Sequence, residues 1–254
     1  MSVVFLGCNS AEKTETTGAS SDTTSMSKTT PADTTATTAT TTSNKSMDAV
    51  TVAPNLYKVL KDSMGIRILD VVYKPGDSSA MHSHPDNALY VIDGGKFEFT
   101  MKDGSKQVHD LKSGSTLILP AGDHAVKNTG KTSGKVILVE VNRPNKAANT
   151  LDPKMDPVKV APMLYKTLKD SMNIRVLMAT YKPGASSALH YHPDNAVYVL
   201  SDSKAEFTGK DGAKQQMEMP KSMAIVMPAG DHAVKNVGKS DIKVLLVEVN
   251  RPQQ

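Results

Sequence analysis

Two short histidine-rich strings have the clearest capacity for chemistry in this chain. They read MHSHPDN at 81–87 and LHYHPDN at 189–195, and together they hold four of the seven histidines in 254 residues. Successive side chains of a β-strand alternate between faces, so each His-x-His pair would project two imidazoles to one side. A surface histidine pair with ordinary hydrogen bonds is the competing interpretation of either string taken alone.

A third histidine accompanies each pair. It follows a Pro-x-Gly turn in PAGDH, at 120–124 and again at 228–232. Three imidazoles that converge inside a barrel suit a divalent transition metal such as Fe, Mn, Zn, Ni or Cu, and they leave coordination positions open. The sequence therefore predicts two metal-ligand sets, which are His82, His84 and His124 in the first and His190, His192 and His232 in the second.

Both strings belong to a duplicated segment. Residues 52–144 align without a gap to residues 160–252, each partner lies 108 positions later, and about 58 of the 93 aligned residues are identical. Turn formers such as KPG, KDG and PAGD separate short apolar runs, a spacing typical of a β-sandwich or barrel with about eight to ten strands in each copy. We expect two similar barrels that pack as a pseudo-symmetric pair. LYKVLKD and LYKTLKD are the only stretches with some helical character.

The motifs within each copy resemble those of the cupin superfamily. In the first copy Gly76 precedes His82-x-His84-Pro and a YVIDG strand, and Gly114 precedes the PAGDH turn. The second copy repeats both motifs, with Ser222 in place of the second glycine. The resemblance covers nearly all of both copies and implies an all-β fold of two tandem jelly-roll barrels, a bicupin. Cupins include dioxygenases, isomerases, decarboxylases and storage proteins, so the implied function is broader than the implied fold.

Both copies depart from the cupin pattern at one ligand. Cupin metal sites usually include a glutamate after the histidine pair. The corresponding place is Asn87, Ala88 or Leu89 in the first copy and Asn195, Ala196 or Val197 in the second, and no carboxylate stands at any of them. The resemblance thus implies three neutral ligands, with the asparagine as a weak ligand or a hydrogen-bond partner and with Asp86 or Asp194 as a nearby supporting acid. An ion held by neutral ligands keeps a formal charge of about +2, which favours small anionic or chelating ligands, including carboxylates, enolates and diketones.

Other candidates are weaker. Glu140 and Glu248, in the two VEVNRP strings, could face either side of their strand. A methionine cluster at 217–227 suggests copper by residue type, but two of its members align with leucines of the first copy, which favours core positions. His109 aligns with a methionine and is interpreted as a surface or edge residue.

Two classes of function fit these observations. One is a metal-dependent enzyme, a dioxygenase or isomerase that acts on a small anionic organic molecule. The other is a noncatalytic module in which metal or a small molecule fills the barrel. Nucleic-acid binding has little support, because the lysines behind the net charge of +4 are scattered along the chain.

The N-terminal segment differs in composition from the repeats. Residues 1–8, MSVVFLGC, resemble a partial signal that ends in a bacterial lipobox, so Cys8 is a predicted lipidation site. Residues 9–47 are rich in Thr and Ser and predict a disordered tether. We therefore expect an envelope protein that contacts the membrane only through this anchor and faces the periplasm or the cell surface. Its folded domains are predicted at 48–144 and 158–254, with a linker at 145–157.

Overall fold

The structure, a computed structural model, describes residues 47–253. The predicted lipidation site Cys8 and the predicted tether up to residue 46 lie outside the described residues. The all-β prediction is confirmed, because residues 47–253 form eighteen strands and two four-residue helices. Within this range, no helix reaches the length and hydropathy that crossing a membrane requires.

The first copy forms one short helix and two antiparallel sheets. The elements are α1 (Ala49–Val52), β1 (Tyr57–Ser63), β2 (Ile66–Tyr73), β3 (His82–His84), β4 (Asn87–Asp93), β5 (Gly95–Met101), β6 (Lys106–Leu111), β7 (Thr116–Leu119), β8 (Gly122–Asn128) and β9 (Gly134–Val141). One sheet has the strand order β1-β2-β9-β4-β7, and the other has the order β3-β8-β5-β6. The two sheets face each other and enclose the interior of a jelly-roll barrel.

The second copy repeats this topology. Its elements are α2 (Pro157–Val160), β10 (Tyr165–Ser171), β11 (Ile174–Tyr181), β12 (His190–His192), β13 (Asn195–Val199), β14 (Ser203–Gly209), β15 (Lys214–Met219), β16 (Ala224–Met227), β17 (Gly230–Asn236) and β18 (Ile242–Val249). The sheet orders are β10-β11-β18-β13-β16 and β12-β17-β14-β15. Each strand thus has the same neighbours as its counterpart in the first copy.

The two stretches with helical character are strands, so that sequence expectation is wrong. LYKVLKD contributes most of β1, which pairs with β2 through the two-residue turn Met64-Gly65. Both turn residues have positive φ, 53° and 66°, as type I′ hairpin turns require, and Met172 and Asn173 repeat the turn with φ of 57° each. A seven-residue stretch has little helical stability of its own, so the hairpin hydrogen bonds decide its conformation.

The five-stranded sheet of each barrel is buried on both faces. In β2, Leu69, Val71 and Tyr73 pack inside the first barrel. Ile66 and Ile68 point the other way and pack against the second barrel. A strand with protein on both faces needs apolar side chains at nearly every position, which explains the continuous apolar runs IRILDVVY and KVILVEV.

The two barrels pack through one apolar cluster. It joins residues of β2, β4 and β9, such as Ile68 and Val139, to their counterparts Val176 and Val247 in the second barrel. At the edges of this interface β7 contacts β10, and β16 reciprocally contacts β1. The exchange of equivalent contacts fits the expected pseudo-symmetric pair.

A pair of packed positions distinguishes the two barrel interiors. A Cβ atom added at Gly134 would lie 2.2 Å from Cζ of Phe97. In the second copy these two positions hold Ile242 and Ala205, both buried in the same cluster. The large residue therefore sits on opposite strands in the two barrels.

This exchange predicts a strong coupling between the two positions. Gly134→Ile should destabilise the protein by about 1–3 kcal/mol through overpacking, and Phe97→Ala by about 3–5 kcal/mol through a cavity. The double variant, Phe97→Ala with Gly134→Ile, should be destabilised by at least about 1 kcal/mol less than the sum of the two single effects, because the isoleucine would fill the cavity. Equilibrium denaturation measures the cycle, and Ala205→Phe with Ile242→Gly is the reciprocal control. Simple additivity in both barrels would contradict this account of the packing.

Candidate metal centres

The pairing of β3 with β8 brings the three histidines of the first barrel together. His82 lies opposite His124 in the antiparallel register, and His84 lies opposite Gly122. His82 and His84 are buried and His124 is half-buried. Their candidate ligand nitrogens all lie within 4.8 Å of one another.

The second barrel reproduces this arrangement. His190 lies opposite His232 across β12 and β17, and His192 is two residues further along β12. In the first barrel the ring centroids of the three pairs are 4.9, 4.8 and 5.2 Å apart. In the second barrel the corresponding distances are 4.9, 4.9 and 5.2 Å. Each predicted triad is thus assembled, with nearly the same geometry.

Hydrogen bonds from behind orient two imidazoles of each triad. Nδ1 of His82 lies 2.8 Å from the carbonyl oxygen of Ala80, and Nδ1 of His84 lies 2.6 Å from Oε1 of Glu140. A carbonyl or carboxylate oxygen only accepts, so each Nδ1 carries a proton, and in the neutral imidazole that binds a metal Nε2 then keeps its lone pair. His190 and His192 make the same bonds to Ala188 and to Glu248, at 2.8 and 2.6 Å.

Glu140 faces the barrel interior, which the sequence had left open. It is buried, and its second oxygen, Oε2, accepts a hydrogen bond of 2.5 Å from Nε of Arg67. Arg67 also pairs with Asp48, the residue that caps α1. Hydrogen bonds and charge from Glu140 and Asp48 outweigh the lowering effect of burial and raise the pKa of Arg67. The carboxylate therefore supports the histidine rather than replacing it.

A buried tyrosine adjoins each site, and sequence reasoning missed it. The hydroxyl of Tyr57 lies 2.9 Å from Nε2 of His82, and that of Tyr165 lies 2.9 Å from Nε2 of His190. Because these Nε2 atoms keep their lone pairs, the tyrosine hydroxyl donates. Burial raises the pKa of both phenols well above the ordinary value. A sequence signal exists, since LYK stands at the start of β1 and again at the start of β10, but a helical interpretation of these stretches hides it.

The donor set fits a divalent metal. Burial, together with the neighbouring histidines, lowers the pKa of His124 and of His232 to about 3, so their imidazoles are neutral at neutral pH. Nε2 of His192 is buried and has no hydrogen-bond partner among residues 47–253. A buried acceptor without a partner is costly, and a metal bond would satisfy it. Three neutral imidazoles are a common ligand set for divalent transition metals.

The four predicted supporting residues lie beside the triads. Asn87 and Asn195 are buried, and their amide nitrogens donate to the carbonyls of Pro85 and Pro193, at 2.9 and 2.8 Å. Oδ1 of Asp86 accepts from the backbone N–H of Ala121, and Oδ1 of Asp194 accepts from that of Ala229. The two aspartates thus hold the turn that leads into the strand of the third histidine.

Two buried arginines connect the barrels at these aspartates. Nη1 of Arg143, which follows β9, donates to Asp194 at 2.8 Å, and Nη1 of Arg251 donates to Asp86 at 2.8 Å. Each Nη1 also donates to the backbone carbonyl of the other arginine. Each barrel therefore supplies the charge partner for an aspartate that stands two residues after a histidine of the other barrel.

Comparisons with known proteins agree with this fold. The family model for the cupin domain matches residues 69–140, from β2 to Glu140 in β9. Among curated proteins, none matches the chain in sequence.

Similar solved structures include oxalate decarboxylases. One from Bacillus subtilis has a TM-score of 0.56 and 15% identity over 78% of this chain and 73% of that chain. One from Lactobacillus farciminis, in complex with formate, has a TM-score of 0.53 and 15% identity over 74% of this chain and 78% of that chain. Another from B. subtilis, studied for its Mn(II) centres, has a TM-score of 0.53 and 15% identity over 75% of this chain and 70% of that chain.

A likeness at this level of identity is one of fold, and it extends over more of the chain than either repeat alone can supply. The match to the cupin domain lies in the first barrel, and the likeness to these solved structures shows a fold of two tandem barrels.

Proposed function

We propose that each barrel binds a divalent transition metal ion through its three histidines and that the bound ion takes small anionic organic molecules as ligands. The observation that carries the proposal is the convergence of three neutral imidazoles, two of which are fixed at Nδ1 from behind. Such fixing selects the tautomer that offers Nε2, as is general for metal-binding histidines.

The donor set determines what the ion would attract. A divalent ion bound there supplies Lewis acidity toward a coordinated oxygen. Three neutral ligands leave its formal charge at about +2, whereas a carboxylate ligand would lower it. Fe, Mn, Zn, Ni and Cu all accept imidazole ligands. The similar B. subtilis enzyme is described with Mn(II) centres and is named for an anionic substrate, oxalate, which supports an ion and an anion of this kind.

Residues around the triad have separate tasks. Glu140 holds the proton on Nδ1 of His84, and Ala80 does so for His82. An ion on Nε2 of His82 would take the lone pair that Tyr57 now contacts. The Tyr57 hydroxyl, kept protonated by its raised pKa, would then be available as a hydrogen-bond donor to an anion in the site.

Dioxygenase chemistry is the catalytic role that the site supports best. An isomerase needs an acid-base group to move a proton. Glu140, the buried acid beside the triad, is already committed to Arg67 and His84. The Tyr57 hydroxyl is a poor proton carrier near neutral pH, because burial raises its pKa well above the ordinary value. A dioxygenase draws instead on the metal, with dioxygen as the co-substrate. A noncatalytic binding module would use the same ion and the same anion without turnover.

Metal content tests the proposal directly. Changing both His82 and His84 to Ala should remove about half of the bound metal, because the second triad is built from separate strands. Adding His190→Ala and His192→Ala should remove the remainder. Elemental analysis of untagged protein gives the measurement, and His109→Ala, an exposed histidine on β6, is the control that should retain all metal. Unchanged metal in the fourfold variant would refute the three-histidine site, and complete loss in the first variant would refute independence.

Removing the negative charge that contacts one ligand histidine should weaken metal binding without abolishing the site. We predict that Glu140→Gln lowers metal affinity in the first barrel by about 10- to 100-fold, because a neutral amide makes the His84 imidazole a poorer donor. Competition with a chromogenic chelator measures this affinity. Glu98→Gln, which alters a carboxylate paired with Lys106 on the barrel surface, should have no effect. Equal affinities in the two variants would show that Glu140 is not coupled to the ion.

We further propose that the protein is a lipid-anchored envelope protein facing the periplasm or the cell surface. The Leu-Gly-Cys ending of residues 1–8 and the Thr/Ser-rich composition of residues 9–47 support this location. Expressed in bacteria from its complete gene, the protein should fractionate with membranes. Cys8→Ser should release it into the soluble fraction, because the thiol that carries the lipid would be gone. Equal recovery of both proteins in the soluble fraction would reject the anchor.

A further inference from the structure

The first barrel encloses a cavity of about 360 Å³ that reaches its histidine triad. Both sheets contribute to the lining, which includes His84, His124 and Tyr57. The exposed members of the lining, among them His109 and Leu117, lie on β6 and β7. These are the end strands of the two sheets, so the cavity opens between them.

The walls of this cavity are mainly apolar. Leu89, Phe99, Met101, Leu111, Leu117 and Leu119 are among them. Leu117 and Leu119 are each 37% exposed, which leaves apolar surface at the mouth. An apolar wall with a few polar groups at one end is typical of a small-molecule site.

Charged partners for a second anionic group are missing from the lining. Among the described residues that line the cavity, none is Lys, Arg, Asp or Glu. A dianion bound at the ion by one end would lose the hydration of its other charge without a compensating partner, which is strongly unfavourable. The cavity therefore favours one anionic or chelating end and an uncharged, apolar remainder.

Three positions around the mouth are packed more tightly in the second barrel. Met219 is buried where Leu111 is half-buried. Ile225 and Met227 pack against the core of the second barrel, whereas their counterparts in the first barrel are the exposed leucines of the mouth. Methionine is long and flexible and fills gaps that leucine leaves. The two barrels thus share a triad and differ in the space above it.

We propose that the cavity of the first barrel binds an amphiphilic ligand, with one carboxylate or similar chelating head at the triad and an apolar body between β6 and β7. The second barrel, with its filled mouth, takes only small anions. This inference rests on the proposed function, because the ion holds the head.

Binding to the metal-loaded full-length protein tests the inference. Isothermal titration should show one octanoate per chain, bound on the order of a hundredfold more tightly than acetate, since each buried methylene adds favourable transfer free energy. Oxalate has no apolar body, so its affinity should come from chelation of the ion alone and should gain nothing from the cavity. Chelator treatment removes the ion and with it the contact to the carboxylate head. The affinity for octanoate should then fall about tenfold or more.

A matched pair of variants locates the ligand. Leu119→Glu puts a charge at the mouth of the first barrel and should abolish the advantage of octanoate over acetate, with metal content unchanged. Met227→Glu, at the equivalent position of the second barrel, should leave the octanoate titration unchanged. Both are partly exposed positions, and metal content with circular dichroism checks that each variant is folded.

Three outcomes would overturn the inference, and they differ from one another. Full metal content with equal affinity for octanoate and acetate would refute the amphiphilic ligand and leave the metal proposal standing. Octanoate binding that persists in chelator-treated protein would refute the contact between the head and the ion. Failure of the protein to bind any metal when metal is supplied would refute the proposed function itself.

Discussion

The carboxylate of Glu140 is buried inside the first barrel, and a buried carboxylate needs charged or hydrogen-bonding partners. The contacts of Glu140 with these partners organise the barrel. One carboxylate oxygen accepts a hydrogen bond from the Arg67 guanidinium, and the other accepts one from Nδ1 of His84. Arg67 also forms an ion pair with Asp48, which caps α1. An unpaired charge at this depth would cost several kcal/mol, on the order of 3–5. Glu140 is therefore held by the Arg67 charge, and its other oxygen fixes the His84 ring through a hydrogen bond. The second barrel repeats this series of contacts with Asp156, Arg175, Glu248 and His192.

Ion pairs also connect the two barrels at their interface. Arg251 reaches Asp86, and Asp86 also holds the backbone of Ala121 in the turn before His124. The mirrored chain runs from Arg143 through Asp194 to Ala229. Identical triads alone would make two separate sites, but these contacts give each barrel a part in holding the other's third histidine. Both arginines are buried, and the attraction between opposite charges is stronger there than in water.

The local patterns of the sequence carried much of this architecture. Alternation along a strand placed His82 and His84 on one face, and the repeat transferred the result to the second barrel. Three features depended on long-range packing instead. The direction of Glu140 is set by its partner Arg67, 73 residues away. Tyr57 lies in a stretch whose strand form comes from hairpin pairing rather than propensity. Arg251 pairs with an aspartate 165 residues away, in the other barrel, and no local pattern encodes that choice.

Crystals of the metal-loaded protein, with anomalous diffraction recorded on both sides of the absorption edge of the metal, test the central claim most directly. The account predicts one ion in each barrel, bonded to Nε2 of all three histidines at about 2.0–2.3 Å, with the carboxylates of Glu140 and Glu248 still on Nδ1 of their histidines. The remaining coordination positions should be filled by water or a small anion. An ion bonded to Glu140 or Asp86, or ions found only outside the barrels, would contradict it.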